Sequence, residues 1–279
     1  LSCFRATEKK KGPSRMTTLA PTATPLLSVV LMTRNESKHI ADCLNSLRDF
    51  EEIIVVDNGS TDNTCSLITS FANARLIVSE WKGYGATRQV GVDAASHDWI
   101  LWLDADERMT PALASEIRES LIGAPQNTVL SLPRKNFFLG QHIRGCGWSP
   151  DRVSRVFNRQ YGSFNNKIVH EGLDFKGGIH KKELSQALLH YSYTSLRQFF
   201  DKNSNYAQLA GQERLRTGRK VRSIELFVRP FWEFFRCYVL KRGFLDGRRG
   251  LVISYGSAIY VLSRDAYCLL GEGDKSNPA

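Results

Sequence analysis

Asp98-Trp99-Ile100-Leu101-Trp102-Leu103-Asp104-Ala105-Asp106-Glu107 joins an apolar run to a cluster of acids. The apolar run from Trp99 to Leu103 predicts a strand buried on both faces, and it stops abruptly in acid. Asp104 and Asp106, separated by one small residue, leave the strand end on the same side, roughly 6–7 Å apart at the usual strand rise. Such a pair suits a hard divalent cation that keeps several waters and shares phosphate oxygens with a ligand. Standing alone, Asp-x-Asp is equally a solvated strand end, and its neighbours have to decide.

Upstream, the same pattern repeats. Leu26-Leu27-Ser28-Val29-Val30-Leu31-Met32 predicts a buried strand that ends in the polar turn Thr33-Arg34-Asn35-Glu36-Ser37, followed by a helix through Ile40, Leu44 and Leu47. Ile53-Ile54-Val55-Val56 is a second run, closed by Asp57-Asn58-Gly59-Ser60-Thr61-Asp62, with Ser60 or Thr61 expected to cap the helix of Leu67, Ile68 and Phe71. Arg75-Leu76-Ile77-Val78 is a third strand, and a helix is expected from about Ala86 to Ala95. Thr110-Pro111 opens another helix, with Pro111 suited to its first turn. Short apolar strands alternating with helices mean an α/β fold, a mostly parallel sheet covered on both faces. Ligands of such sheets sit beyond the carboxyl ends of the strands. Glu36, Asp57, Asp104 and Asp106 are therefore expected on one rim.

The 279 residues suffice for one large α/β domain with an appendage, and their net charge of +10 implies an anionic partner: nucleic acid, an anionic membrane surface or a phosphorylated substrate. Six scattered cysteines show neither Cys-x-x-Cys pairing nor zinc spacing, which suggests a reducing compartment. No apolar run is long enough for a membrane span and no signal peptide is evident, so a cytoplasmic protein, soluble or peripheral, is expected. Residues 1–25 read as a disordered basic arm, with Met16 the expected native start. Residues 134–180 read as irregular short strands and loops where an acceptor surface would be built. From Leu196 the chain reads as helical, and residues 181–249 hold 15 Lys and Arg against six acids. The segment from Ile224 to Arg242 mixes aromatics with Arg and Lys; it suits either a core helix or a helix lying in a membrane interface.

Three motifs in order, Ser28-Val29-Val30-Leu31 with Thr33-Arg34-Asn35-Glu36, Val55-Val56-Asp57-Asn58-Gly59-Ser60-Thr61-Asp62, and Leu103-Asp104-Ala105-Asp106-Glu107, resemble the family-2 glycosyltransferases of GT-A fold. Val153-Ser154-Arg155-Val156-Phe157, Val169-His170-Glu171-Gly172, His190-Tyr191-Ser192-Tyr193 and Gly243-Phe244-Leu245-Asp246-Gly247 resemble the branch with the β-1,4-glucosyltransferases of bacterial lipopolysaccharide core assembly. The resemblance implies a catalytic domain over 26–195, divided into a nucleotide-sugar half (26–122) and an acceptor half (123–195), followed by a helical region over 196–279. It implies inverting transfer of a hexose, glucose above all, from a UDP-sugar to a lipid-anchored inner-core heptose. The expected location is the inner face of the cytoplasmic membrane, against its anionic surface.

Carried over by position, Asp57 would hold uracil, Thr33, Arg34 and Glu36 would lie at the nucleoside, and Lys82 and Arg88 would reach the nucleotide or its diphosphate. Asp104 would face ribose or metal, and Asp106 would ligate Mg2+ or Mn2+. Glu171 is the expected base, chosen by resemblance over Asp174, Asp151 and Glu183. His170, Trp148, Arg152 and Arg155 are expected on the acceptor side. The remaining histidines show no ligand spacing, so no histidine metal site is expected. Gly83-x-Gly85 hints at a dinucleotide fingerprint, but Arg88 stands at the third glycine position, against a dehydrogenase. A nucleic-acid-binding protein finds no supporting motif, and a non-catalytic lipid-binding module leaves the rim carboxylates unexplained.

Overall fold

The computed structural model describes residues 25–165 and 172–271. The first half is built as expected: β1 (Leu27–Thr33), α1 (Ile40–Ser46), β2 (Glu52–Asp57), α2 (Thr64–Thr69), β3 (Ala74–Val78), α3 (Tyr84–Asp93) and β4 (Trp99–Asp104). β1 pairs in parallel with β2 on one side and β4 on the other, and β2 with β3. Alternate residues of β1 enter two different cores. Val29 and Leu31 pack with Leu44, Leu101 and Ile117, whereas Val30 packs with Ile54, Ile100 and Val92. That double burial is why these strands read as unbroken apolar runs. The close approach of α3 to the sheet comes at Gly91, where a Cβ would stand 2.5 Å from Val30 Cγ1, one helical turn beyond the position that Arg88 occupies.

After β5 (Glu107–Arg108), α4 (Pro111–Leu121) begins as its sequence demands, with Thr110 Oγ1 accepting from Leu113 N at 3.2 Å and Pro111 in the first turn. The expected cap of α2 is different. Ser60 turns back to donate to Asp57, and Asp62 accepts from Thr64 N instead. A polar loop with several short side chains offers competing caps, and the carboxylate at the strand end takes the nearest hydroxyl.

β6 (Thr128–Phe138) runs past Pro133 for five more residues, and it is followed by β7 (Gln141–His142), β8 (Arg152–Asn158), β9 (Gly162–Phe164), β10 (Leu173–Phe175), β11 (His180–Glu183) and β12 (Leu188–Tyr193). Within 134–180 the described residues hold mostly short strands and loops, set beside the longer β6 and β8. The main sheet runs β3-β2-β1-β4-β8-β6-β12-β5, and β7 and β11 also pair with β6. β5 follows β4 after two residues yet pairs with β12 at the far end of this order, so the sheet curls back on itself. The pairing sets His190 opposite Glu107 and closes the site.

α5 (Leu196–Arg216), α6 (Glu225–Phe235) and α7 (Gly247–Leu270) form the helical C-terminal region, with α5 and α6 both packed on α7. The expected helix over 224–242 is α6 continued by a π-helical turn, Arg236–Leu240. Asp246, buried before α7, accepts from the backbone N–H of Arg144 and Gly145 and ties this region to the acceptor half. Among the described residues no helix is long and apolar enough to cross a membrane.

Candidate functional site

A cleft of about 670 Å3 opens at the carboxyl ends of β1 and β4. The strand-end residues Thr33, Arg34, Glu36, Asp104 and Asp106 line it from the sheet side. Facing them are His190 and Tyr193 from β12 and Lys202 from α5. None of those last three was assigned a role by sequence.

Asp104 is held rather than free. One oxygen accepts from Arg88 at 2.8 Å and the other from Arg155 at 2.9 Å. Partial burial pushes its carboxyl up, but the two guanidinium groups outweigh burial and hold it well below the usual carboxylate range. Arg155 and Arg88 also lie against the Trp102 ring, 3.7 and 4.6 Å from its centroid. Beneath them Glu107 is fully buried, accepting from Arg155 at 2.5 Å, Arg134 at 3.2 Å and the Asp104 backbone N–H at 3.1 Å. Arg134 then donates to Asp151 at 2.8 Å. Alternating acids and arginines thus form the floor of the cleft, each buried charge paired as low dielectric requires.

Asp106 has a different partner. Its Oδ2 lies 3.4 Å from His190 Nε2. The orientation of that ring is set from its other side. Asn136 donates its Nδ2 to the Trp148 carbonyl (3.0 Å) and to Asp151 (2.9 Å), which leaves Asn136 Oδ1 as an acceptor 2.6 Å from His190 Nδ1. Ser192 Oγ lies 3.1 Å from the same Nδ1, so Asn136 and Ser192 fix the ring with Nε2 turned toward the Asp106 carboxylate. An imidazole nitrogen and a carboxylate oxygen facing each other in the cleft are residue types that can share a divalent cation. Among the described residues no third His, Cys, Asp or Glu completes a protein-only cage. Two protein ligands with the other positions left to water and phosphate oxygens fit Mg2+ or Mn2+, which keep waters and bind through few carboxylates. Local spacing could not reveal this facing of His190 and Asp106, a contact made across 84 residues by strand pairing.

Glu36 is shifted in the opposite direction to Asp104. Burial, then the neighbouring charge of Asp106, push its carboxyl up to about 7, with Lys202 pulling the other way. Asp57, at the equivalent end of β2, is buried and turned into its own loop, accepting from the N–H groups of Gly59 (3.0 Å) and Ser60 (2.9 Å). Asn58 lines the cleft in its place.

The other expected residues divide. Lys82 is exposed and lies outside the cleft lining, and Arg88 is buried against Asp104. Arg152 donates to the carbonyls of Ser131 and Leu184, and Arg155 belongs to the floor. Trp148 lines a second cleft of about 370 Å3 with Asp151, which shares His190, Ser192 and Tyr193 with the first. His170 and Glu171 lie outside the described residues.

Residues 28–168 match the model of the family described as Glycosyl transferase family 2. The chain is 28% identical over 253 residues to an uncharacterised glycosyltransferase of Rickettsia conorii, covering 86% of this chain and 88% of that one. It is 26% identical over 257 residues to the lipopolysaccharide core biosynthesis glycosyltransferase LpsC of Rhizobium meliloti, covering 86% and 93%. Among solved structures, Staphylococcus aureus TarS 1-349 in complex with UDP is 17% identical, with a TM-score of 0.45, covering 91% of this chain and 94% of that one.

Proposed function

The chain belongs to glycosyl transferase family 2, and from that premise we propose that it is an inverting, metal-dependent hexosyltransferase that takes a UDP-sugar, UDP-glucose above all, as donor. Its acceptor in this reading is a lipid-anchored heptose of the lipopolysaccharide inner core, reached from the cytoplasmic face of the bacterial inner membrane. The single observation that carries the donor and metal reading is the facing of Asp106 and His190 in a cleft at the strand ends. The relative LpsC supports the acceptor class.

Asp106 and His190 would hold Mg2+ or Mn2+, which when bound neutralises charge on the diphosphate. The nucleoside lies toward Thr33, Arg34, Glu36 and Asn58. Three cationic residues besides Arg34 line the cleft, and two of them, Arg88 and Arg134, are committed to floor carboxylates. Lys202 is in no ion pair among the described residues and stands with its ammonium 5.4 Å from the Tyr193 ring centroid. It is the cation left to meet the leaving diphosphate, and it comes from α5, outside the span of the family match.

The acceptor enters by the second cleft, where the Trp148 ring suits a sugar face and Asp151 suits its hydroxyls. In the transfer step the acceptor hydroxyl oxygen bonds to the anomeric carbon and its proton passes to a base, Glu171 by sequence resemblance. The bond from that carbon to the β-phosphate oxygen breaks, and its electron pair leaves with UDP. The floor network keeps Asp104 ionised and Asp106 in register throughout.

A panel of nucleotide sugars, each with Mg2+, Mn2+ or EDTA, against core lipids truncated at successive sugars tests the proposal. Metal-dependent transfer of glucose from UDP-glucose to a heptose-terminated core is expected. Transfer confined to another donor or another lipid-linked acceptor would replace the substrate assignment, and transfer unimpaired by EDTA would remove the metal.

A further inference from the structure

α6 is an amphipathic helix turned inside out. Of its eleven residues none is buried, although it packs along α7. Its apolar stripe, Phe227, Val228, Phe231, Trp232 and Phe235, follows helical spacing and faces away from the protein, with Phe227 and Phe231 74% and 76% exposed. The inward face carries the charge beside one aromatic, Phe234, whose ring centroid lies 4.6 Å from that of Tyr255 on α7. Arg229 pairs with Glu225 at 2.7 Å and reaches Asp265 of α7 at 3.2 Å, while Arg236 pairs with Glu233 at 2.6 Å. Asp265 is fully buried and also accepts from Arg214 and Arg264. A surface helix in water packs the other way, apolar stripe to the core. Here Arg229 of α6 reaches the same buried carboxylate that Arg214 of α5 and Arg264 of α7 bind, which holds that face of α6 inward and leaves the stripe of Phe227, Phe231 and Trp232 pointing out.

The apolar surface continues beyond α6. Val239 and Leu240 of the π-helical turn and Phe244 and Leu245 of the next turn are all exposed. Such a contiguous patch on a charged protein marks an interaction face. Its borders say with what: Arg219, Lys220 and Arg222 precede α6, Lys241, Arg242 and Arg248 follow its extension, and all six are exposed. Like-charged borders repel a second copy of the same surface. They are complementary to lipid phosphate, and aromatics with flanking Arg and Lys are the chemistry of a helix lying in a bilayer interface.

We infer that α6 and the turn after it form a docking face for an anionic bilayer, with Phe227, Phe231 and Trp232 inserted among the lipids and the two basic borders at the head groups. The face is separate from the cleft, so its behaviour can be read without knowing the sugar transferred.

The full chain would be mixed with vesicles of phosphatidylcholine alone or with phosphatidylglycerol added. Sedimentation is expected to bring the protein down with the anionic vesicles and to release it at about 1 M salt, where screening is nearly complete. Brominated lipid should quench Trp232, seen as quenching lost in Trp232→Phe. The exposed double change Phe227→Ser with Phe231→Ser should lower the bound fraction about tenfold or more at unchanged melting temperature. Equal binding of this variant and the parent would overturn the inference. So would a parent that ignores anionic vesicles and is a dimer which the double change makes monomeric, since a second copy then covers the face.

Discussion

Arg155 on β8 and Glu107 at the start of β5 meet at 2.5 Å with neither side chain open to water, 48 residues apart in the chain. The pair joins the segment just beyond Asp104 and Asp106 to β8 of the acceptor half. Removing one member leaves the other charged, buried and unpaired. Arg155→Met is therefore expected to cost about 3–5 kcal/mol of stability, and Glu107→Gln in that background to recover part of it. Denaturant titration of the two single changes and the double change measures the coupling. Additive costs would show that the pair does not act as a unit.

Asp106 and His190 should act together on metal and separately from fold. His190→Ala is expected to weaken Mn2+ binding in the presence of UDP by about tenfold or more, and Asp106→Asn to abolish it, followed by electron paramagnetic resonance of free Mn2+. His190→Ala also leaves Asn136 Oδ1 without its ring partner. Asn136→Ala, which spares Nε2, is the control: a metal affinity that falls equally in both would assign the effect to ring orientation.

Glu36 gives the pH dependence. Its folded value of about 7 lies above the ordinary 4.5, so the folded state binds the proton more tightly than the unfolded state does. Folding stability contributed by this group is present below pH 4.5 and is lost as pH rises to about 7. Glu36→Gln abolishes that loss. The melting temperature of the variant minus that of the parent should grow between these values and level off above them, with the metal absent. A difference that does not change with pH would mean that Glu36 ionises normally.

Much of the donor half was legible because its strands are buried on both faces and end at once in acid: Trp99 to Asp104 announces strand, layer and rim together. What the linear pattern could not carry is which acid is spent inside the protein. Asp104 and Asp106 look alike in sequence, yet the arginines that hold Asp104 come from α3 and β8, and the histidine that faces Asp106 comes from β12. Asp57 likewise looked like its counterparts until Ser60 folded back on it. In the C-terminal region the period of α6 was readable as amphipathic, but the inward face is chosen by Asp265, thirty-six residues after Arg229. The Asp57–Ser60 contact is local to one loop, whereas the others join distant segments and depend on sheet curl or helix packing.

Lys202 offers the sharpest test of how the helical region serves the donor site. If the proposed donor is bound as argued, the Lys202 ammonium lining the cleft should matter more as the ligand gains its second phosphate. Lys202→Ala is expected to lower affinity for UDP about tenfold while changing UMP affinity much less, and Lys202→Arg to restore most of the difference. Calorimetry with both nucleotides in the presence of Mn2+ reads this without any acceptor. Should the parent chain bind neither nucleotide, the UDP-sugar reading itself fails. Should it bind UDP and the alanine change weaken UDP and UMP alike, Lys202 only balances Glu36 and Asp106. A selective loss of UDP would place a residue from outside the matched family span in the leaving-group site, so that the seating of α5 on α7 governs how well the nucleotide half releases its product.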